Sequence, residues 1–491
     1  MPKSFVSVSA APRRVAAAAA TLCAALALAG CAAQGPAHEP LARLGAAELG
    51  LTAQSETGAN TSLPAADWWK SLGDAQLDAL IAQALQGSPS LAMSRARFDK
   101  AAALATATST ATDVRGTLGV DATRQHYSAN GLVPAPIAGH TYNTGNLQAG
   151  LSWTPDFFGR HAADLQAALG QARAAQADSA AAANQLAAQV ARSYVALARL
   201  IAQKDVAGRT LTQRQSLLDL SQQRTRAGLD SQVELTQAQA GLPDAGTQIE
   251  MLDEQITLAR RTIAVLCGQA PEAQLQLSPR LAALQIQAVP GQLGADLLGR
   301  RPDVVAARWR VESATQGIES ARADFYPDIN LTAFIGLNAI GLDNLFKGSS
   351  RQMGITPALR LPLFDGKRLR AQLRGTQADL DTAIAQYNGV VLDAVKEAGD
   401  AITSVQSLVR QQQLQAESLE KAERAYDFAV QRYKAGLASQ VTVLNTETQV
   451  ITQRRLDVDL RARALDTRVS LMKALGGGWT DGTAAVQVSQ H

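Results

Sequence analysis

The stretch of the sequence with a covalent chemistry written into it is Leu28-Ala29-Gly30-Cys31. Small residues running into a cysteine, behind a positive region (Lys3, Arg13, Arg14) and an apolar run from Val15 to Leu28, form a bacterial lipoprotein signal. The expected chemistry is removal of residues 1–30 and acylation of Cys31; an ordinary export signal is the plainer alternative. Cys23 leaves with the signal, so Cys267 is left single and no internal disulfide is expected. Residues of catalytic type form no working pattern elsewhere. The histidines, His38, His126, His140, His161 and His491, lack metal-ligand spacing. No phosphate-binding glycine loop or nucleophile elbow is present, Gly476-Gly477-Gly478 reads as a helix end, and carboxylates are spread over helix surfaces. No enzyme, cofactor or metal is expected.

A second group of polar residues sits beside glycines and occurs twice. Arg224-Thr225-Arg226-Ala227-Gly228-Leu229-Asp230-Ser231 is matched by Tyr433-Lys434-Ala435-Gly436-Leu437-Ala438-Ser439, with Gln232-Val233 and Gln440-Val441 following. Around each glycine lies one plan: helix, hairpin, very long helix, glycine tip, shorter helix. Composition agrees, because aromatics are only 4% and alanine and glutamine are plentiful, which suits long helices packed through small residues. The formal charge of +3 falls to zero once the three basic residues of segment 1–30 are removed, and no concentrated basic face remains. Nucleic acid is therefore not an expected partner.

In chain order, 1–30 is the signal and 31–66 a tether rich in small residues and proline. Residues 67–268 form the first repeat, with a helix capped at Asp74, a hairpin at 116–154, a long helix at 157–226 and a return helix at 231–267. A connector at 269–299 follows, where Leu275, Leu277, Leu284 and Ile286 suggest short strands. Residues 300–476 repeat the plan, with a hairpin at 327–364, a long helix at 366–434 and a return helix at 439–475, and 477–491 is a loose tail. In the hairpins the period changes from 3.6 to 2: Leu118, Val120 and Ala122 alternate with polar residues, as do Leu147, Ala149, Leu151 and Trp153. The second hairpin repeats this with Ile329, Leu331, Ala333 and Ile335 before a loop at 337–352, then Ile355, Leu359, Leu361 and Leu363.

Strands of about ten residues with one apolar face have the length of tilted bilayer-spanning strands. An open edge is untenable in lipid, and four strands are too few to close a barrel, so such strands demand several copies of the chain. Aromatics near the strand ends (Tyr127, Tyr142, Trp153, Phe157, Phe158, Phe325, Tyr326, Phe364) suit an interfacial girdle. Two soluble hairpins packed on helices, in a lipid-anchored structural coiled coil without a pore, are the competing reading.

The chain resembles the TolC-like outer-membrane efflux proteins, in particular their NodT-type lipoprotein branch. The resemblance is carried by Asp67-Trp68-Trp69-Lys70 with Gly73-Asp74; Arg300-Arg301-Pro302-Asp303 with Ala307 and Trp309; Ala321 to Pro327; Pro362-Leu363-Phe364-Asp365-Gly366; and the two Ala-Gly-Leu tips. It implies a mainly α fold with a small β part: a homotrimeric α-barrel continued by a 12-stranded β-barrel, four strands per chain, in two repeats. It also implies an exit duct for drugs or other toxic small molecules. Its partners would be a periplasmic adaptor, an inner-membrane transporter of RND type and outer-membrane lipid. A protein-export duct shares the architecture. By the same resemblance the periplasmic gate falls at Val441, Thr442, Leu444 and Asn445, and relatives often carry aspartates at the columns of Thr442 and Asn445. The adaptor would contact the tips at Arg226, Gly228, Leu229, Lys434, Gly436 and Leu437. Glu234 occupies the first-repeat column matching Thr442, so the first tip is expected to be charged and the second not.

Overall fold

The computed structural model describes residues 38–45, 48–49, 65–285 and 297–479. Two short helices come first, α1 (Ala75–Gly87) and α2 (Pro89–Ser109). Strands β1 (Arg115–His126) and β2 (Thr141–Trp153) follow, then the long α3 (Arg160–Arg226) and its return helix α4 (Gln232–Leu266). A helical turn, α5 (Leu297–Arg300), leads to α6 (Pro302–Ala323). Strands β3 (Asp328–Ile340) and β4 (Arg351–Arg360), the long α7 (Gly366–Lys434) and its return helix α8 (Gln440–Ala474) complete the second repeat. The 67 residues of α3 and the 69 of α7 each run about 100 Å. Among the described residues no helix is long and apolar enough to cross a membrane.

The helices lie side by side in two tiers. On the strand side the order is α2, α3, α6, α7; towards the glycine tips it is α4, α3, α8, α7. Small residues set the spacing. Ala172, Ala187, Ala191 and Ala198 of α3 are buried, and a Cβ on Gly170 would stand 3.0 Å from that of Ser313 on α6. The tiers meet at a thicker core, where Trp68, Leu77 and Ile81 pack with Leu186, Val190 and Leu197 of α3, Ile263 of α4 and Leu465 of α8. Asp74 caps α1 by accepting from the Gln76 N–H at 2.9 Å, and the Tyr194 hydroxyl donates to its other oxygen at 2.7 Å, tying α1 to α3.

Arg301 explains the Arg-Arg-Pro-Asp run. Its buried guanidinium donates to Asp303 at 3.1 and 2.7 Å, to Glu397 of α7 at 3.0 Å and to the Ala474 carbonyl at 3.2 Å. Burial opposes the cation, but the two carboxylates outweigh it and hold the proton more firmly than usual. A buried charge survives only when so paired, and this one joins the start of α6 and the end of α8 to the middle of α7.

The four strands form one antiparallel sheet in the order β1-β2-β3-β4. Register aligns the apolar rows: Val120, Leu147 and Leu337 share a rung, as do Leu118, Ala149, Ile335 and Met353, and Leu151, Ala333 and Ile355. Leu118, Val120, Ile335, Met353 and Ile355 are 61–74% exposed, so a whole apolar side faces outward. The opposite side is polar: Asn146 donates to Asp121 at 3.4 Å and Gln352 to Asn146 at 3.1 Å.

Several expectations need correction. The connector residues 269–285 hold turns and a 3-10 helix at Leu281–Ala283 rather than strands, because Leu277, Leu281 and Leu284 are used as pegs into the helical core; Ile286 is outside the described residues. Strand β3 runs to Ile340, beyond the loop start expected at 337, because Leu337 continues the apolar row opposite Leu147. Phe325 is no girdle residue; it is 4% exposed among Leu369 and Leu373. Residues 38–45 are not free tether. The Leu41 N–H donates to Asp381 at 3.1 Å, the Leu44 N–H to Asn388 at 2.9 Å, and Arg43 pairs with Glu312 at 3.1 Å, fastening them along α6 and α7. The start of the tail is likewise packed, with Trp479 against Val305 and Ala306.

Candidate functional site

Both tips are built by the same backbone device. In the first, the Leu229 N–H reaches the Arg224 carbonyl at 2.9 Å and the Gly228 N–H the Thr225 carbonyl at 3.0 Å. In the second, Leu437 reaches Arg432 at 2.8 Å and Gly436 reaches Tyr433 at 3.0 Å. This is the Schellman closure of a helix, which needs a left-handed residue at its corner; Gly228 has φ +71° and Gly436 φ +73°. The turns leave Leu229 and Leu437 65% and 68% exposed, beside Val233 and Val441 and the exposed Arg226 and Lys434.

The two carboxylates of the first tip are both spent inside the chain. Glu234 forms a capping box with Ser231, accepting from its backbone N–H at 2.9 Å and from its hydroxyl, while the Ser231 oxygen accepts from the Val233 N–H at 3.1 Å. The Ser231 contacts hold the Glu234 carboxyl below its ordinary value. Asp230 accepts two bonds from Arg224, at 3.0 and 3.1 Å, and one from the Tyr433 hydroxyl at 2.5 Å. Arg224 also donates to the Tyr433 carbonyl at 3.1 Å and lies 4.7 Å from the centre of its ring. Burial pushes the Asp230 carboxyl up, but the bonds from Arg224 and Tyr433 prevail and hold it low. Burial, then donation to Asp230, pushes the Tyr433 hydroxyl up to about 12. Arg224, Asp230 and Tyr433 thus latch the first tip to the second.

The expected gate residues begin α8. Val441, Thr442 and Asn445 are exposed, whereas Leu444 leans into the tip core of Leu217, Tyr426, Tyr433 and Val443. The column opposite Glu234 carries no carboxylate, and the Thr442 hydroxyl shares a 3.2 Å contact with that of Ser439. Further along α8 lies Glu447, 2% exposed, which receives Arg214 at 3.3 Å while that arginine also donates to the Gly241 carbonyl at 2.8 Å. Burial raises the Glu447 carboxyl against the opposing pull of Arg214. Sequence reasoning missed Arg224, Arg214 and Glu447; for Arg224 the one signal was a cation six places before Asp230 across a glycine turn. Cys31 lies outside the described residues. Cys267 is a buried packing residue whose thiol points at the Leu80 carbonyl, 3.5 Å away, and burial pushes it up to about 11.

A long-helix bundle with an outward-apolar sheet and paired glycine tips has a counterpart among known families. The model of the outer membrane efflux proteins matches residues 80–269 and 293–477. The chain belongs to that family. This efflux protein is 35% identical over 433 residues to the multidrug resistance outer membrane protein MdtP of Shigella flexneri, covering 86% of the chain and 88% of that relative. It is 40% identical over 370 residues to the fusaric acid resistance protein FusA of Burkholderia cepacia, covering 73% and 69%. The crystal structure of VceC from Vibrio cholerae superposes with a TM-score of 0.80 at 35% identity, covering 84% of this chain and 99% of that one. The efflux protein is an outer-membrane channel, a transport duct and not an enzyme.

Proposed function

We propose that three copies of this efflux protein close into one duct, the exit channel of a tripartite pump that exports toxic small organic molecules. The observation that carries this is the sheet: its apolar side is exposed and its β1 and β4 edges are open, and neither is tolerable in lipid unless copies pair edge to edge. Three sheets of four strands make a barrel of twelve. The helices agree. Their free flanks are α2 and α4 on one side and α7 on the other. The contacts Lys204–Asp253, Arg199–Asp459 and Gln415–Gln453 fix the relative heights of the helices, and they put Leu258 of α4 and Val409 of α7 at one level. These residues are 51% and 52% exposed on opposite flanks, where one copy would meet the next. A structural rod has no use for an outward apolar sheet.

In this reading Cys31 carries the acyl anchor. The tips, with Arg226, Gly228, Leu229, Lys434, Gly436 and Leu437, seat a periplasmic adaptor, and the inner-membrane transporter is of RND type. Val441, Thr442 and Asn445 form the uncharged closure, packed by Leu444 and held by the Arg224–Asp230–Tyr433 latch. The test is a Leu258→Cys, Val409→Cys double variant in outer-membrane fractions under mild oxidation. A disulfide-linked trimer, with lost resistance to a panel of toxic compounds when the protein is deleted, is expected. A soluble monomer with unchanged susceptibility overturns the reading.

A further inference from the structure

The charge pattern on the wall of the duct points to a cargo class; this step rests on the trimeric duct proposed above. Connector residues 278–282 share a groove with Ile201 and Asp205 of α3 and with Asp457, Val458 and Arg461 of α8. A connector laid over the wall marks its outer side. At 100° per residue the opposite side of α8 carries Asn445, Thr452, Asp459 and Arg463, flanked by Arg455 and Asp466. Thr442 and Asn445 begin this same rib, so it continues upward from the closure.

The carboxylates on the rib are neutralised from α3. Asp459 accepts from Arg199 and Gln203, both at 2.7 Å, and Asp466 from Arg192 at 2.7 and 3.3 Å. Arg455 and Arg463 are exposed and form no ion pair among the described residues. Below them, Asp230 and Glu234 are consumed by Arg224 and Ser231. The rib is therefore cationic at two levels, eight residues or about 12 Å apart, above a closure without acids.

We propose that Arg455 and Arg463 form two cationic rings in the lumen, three guanidinium groups each, and that they favour organic anions, carboxylate-bearing amphiphiles above all, over cations. The preference is moderate. Three charges about 10 Å away in water, screened over about 8 Å, change relative permeation about two- to threefold.

The test uses the purified full-length trimer in planar lipid bilayers under a potassium chloride gradient. Relative to wild type, Arg455→Glu with Arg463→Glu should move the reversal potential towards cation selectivity, with the Gln pair in between, and the shift should shrink in 1 M salt. In cells carrying the complete pump, the Glu pair should lose resistance to salicylate several-fold while resistance to tetraphenylphosphonium holds or rises. An unchanged reversal potential from intact, conducting trimers overturns the rings and leaves the duct standing, as does equal loss of both resistances. A trimer-free, non-conducting preparation of wild type overturns the duct itself.

Discussion

Tyr433→Phe removes one hydroxyl and keeps the ring that packs with Leu217 and Val443. The bond it deletes runs from one tip to a carboxylate of the other, at 2.5 Å, with Asp230 almost wholly enclosed. A hydrogen bond to a charged group contributes about 1.5–3 kcal/mol. At 1.4 kcal/mol per tenfold, the separated state of the two tips should gain about ten- to a hundredfold in population. The Arg224–Asp230 pair remains, so the helices stay folded and the trimer still assembles. The readouts are entry of a large hydrophilic antibiotic into cells and the open time of trimers in bilayers, both expected to rise. Wild-type permeability from a normal amount of trimer would refute the latch. The pH response has a definite sign. Asp230 sits below its ordinary 3.8 in the fold, so its contribution is complete above that value and is lost only as pH falls through the lower folded value. Closure should therefore not change between pH 5 and 7, unlike that of a duct shut by unpaired aspartates.

Glu447 carries the opposite sign: burial raises its folded value above 4.5, so its favourable share is complete below 4.5 and is lost as pH rises through the folded value. The unfolding temperature of the tip should fall over that window in wild type and lose the dependence in Glu447→Gln, measured by circular dichroism. Gly228→Ala, with nothing within 4 Å of the added carbon, should cost about 1–2 kcal/mol from the left-handed backbone alone. Gly476→Ala, where the carbon would meet the Arg300 carbonyl oxygen at 2.3 Å, should cost clearly more in thermal melts. Ile355→Arg on the outward side of the sheet should cost about 2–4 kcal/mol at the bilayer midplane and deplete outer-membrane trimer, whereas Gln352→Arg on the polar side should not.

Much of this was legible in the sequence because one physical constraint dominated each stretch. Period-2 alternation placed the four strands, and the glycines marked the tips because a helix reversal needs a left-handed corner. Legibility ended where a residue's role depends on something distant in the chain. Leu277, Leu281 and Leu284 look like strand residues until the helices they plug are in place. Phe325 sits next to Tyr326, which stacks on Phe158 with ring centres 5.1 Å apart, yet it points the other way, into the core of α6 and α7. Asp230 and Glu234 look like a charged tip because sequence shows carboxylates but not what they bond. Arg224 and Tyr433, 209 residues apart, come together only through the fold.

The duplication itself then acquires a physical asymmetry. Two tips built on the same backbone turn differ at the start of their return helices: the first spends its acid on a capping box, while Ser439 makes no such cap. The first return helix therefore starts with its early N–H groups better supplied, whereas the second begins with Thr442 and Asn445 exposed and without a carboxylate. A capped, latched tip is suited to hold still and an uncapped one to move against it, so opening should begin with α8 and α7 sliding away from a stationary α3 and α4. Loss of the Tyr433 hydroxyl frees that movement, whereas Glu234→Gln, which weakens only the cap of the stationary pair, should leave closure unchanged.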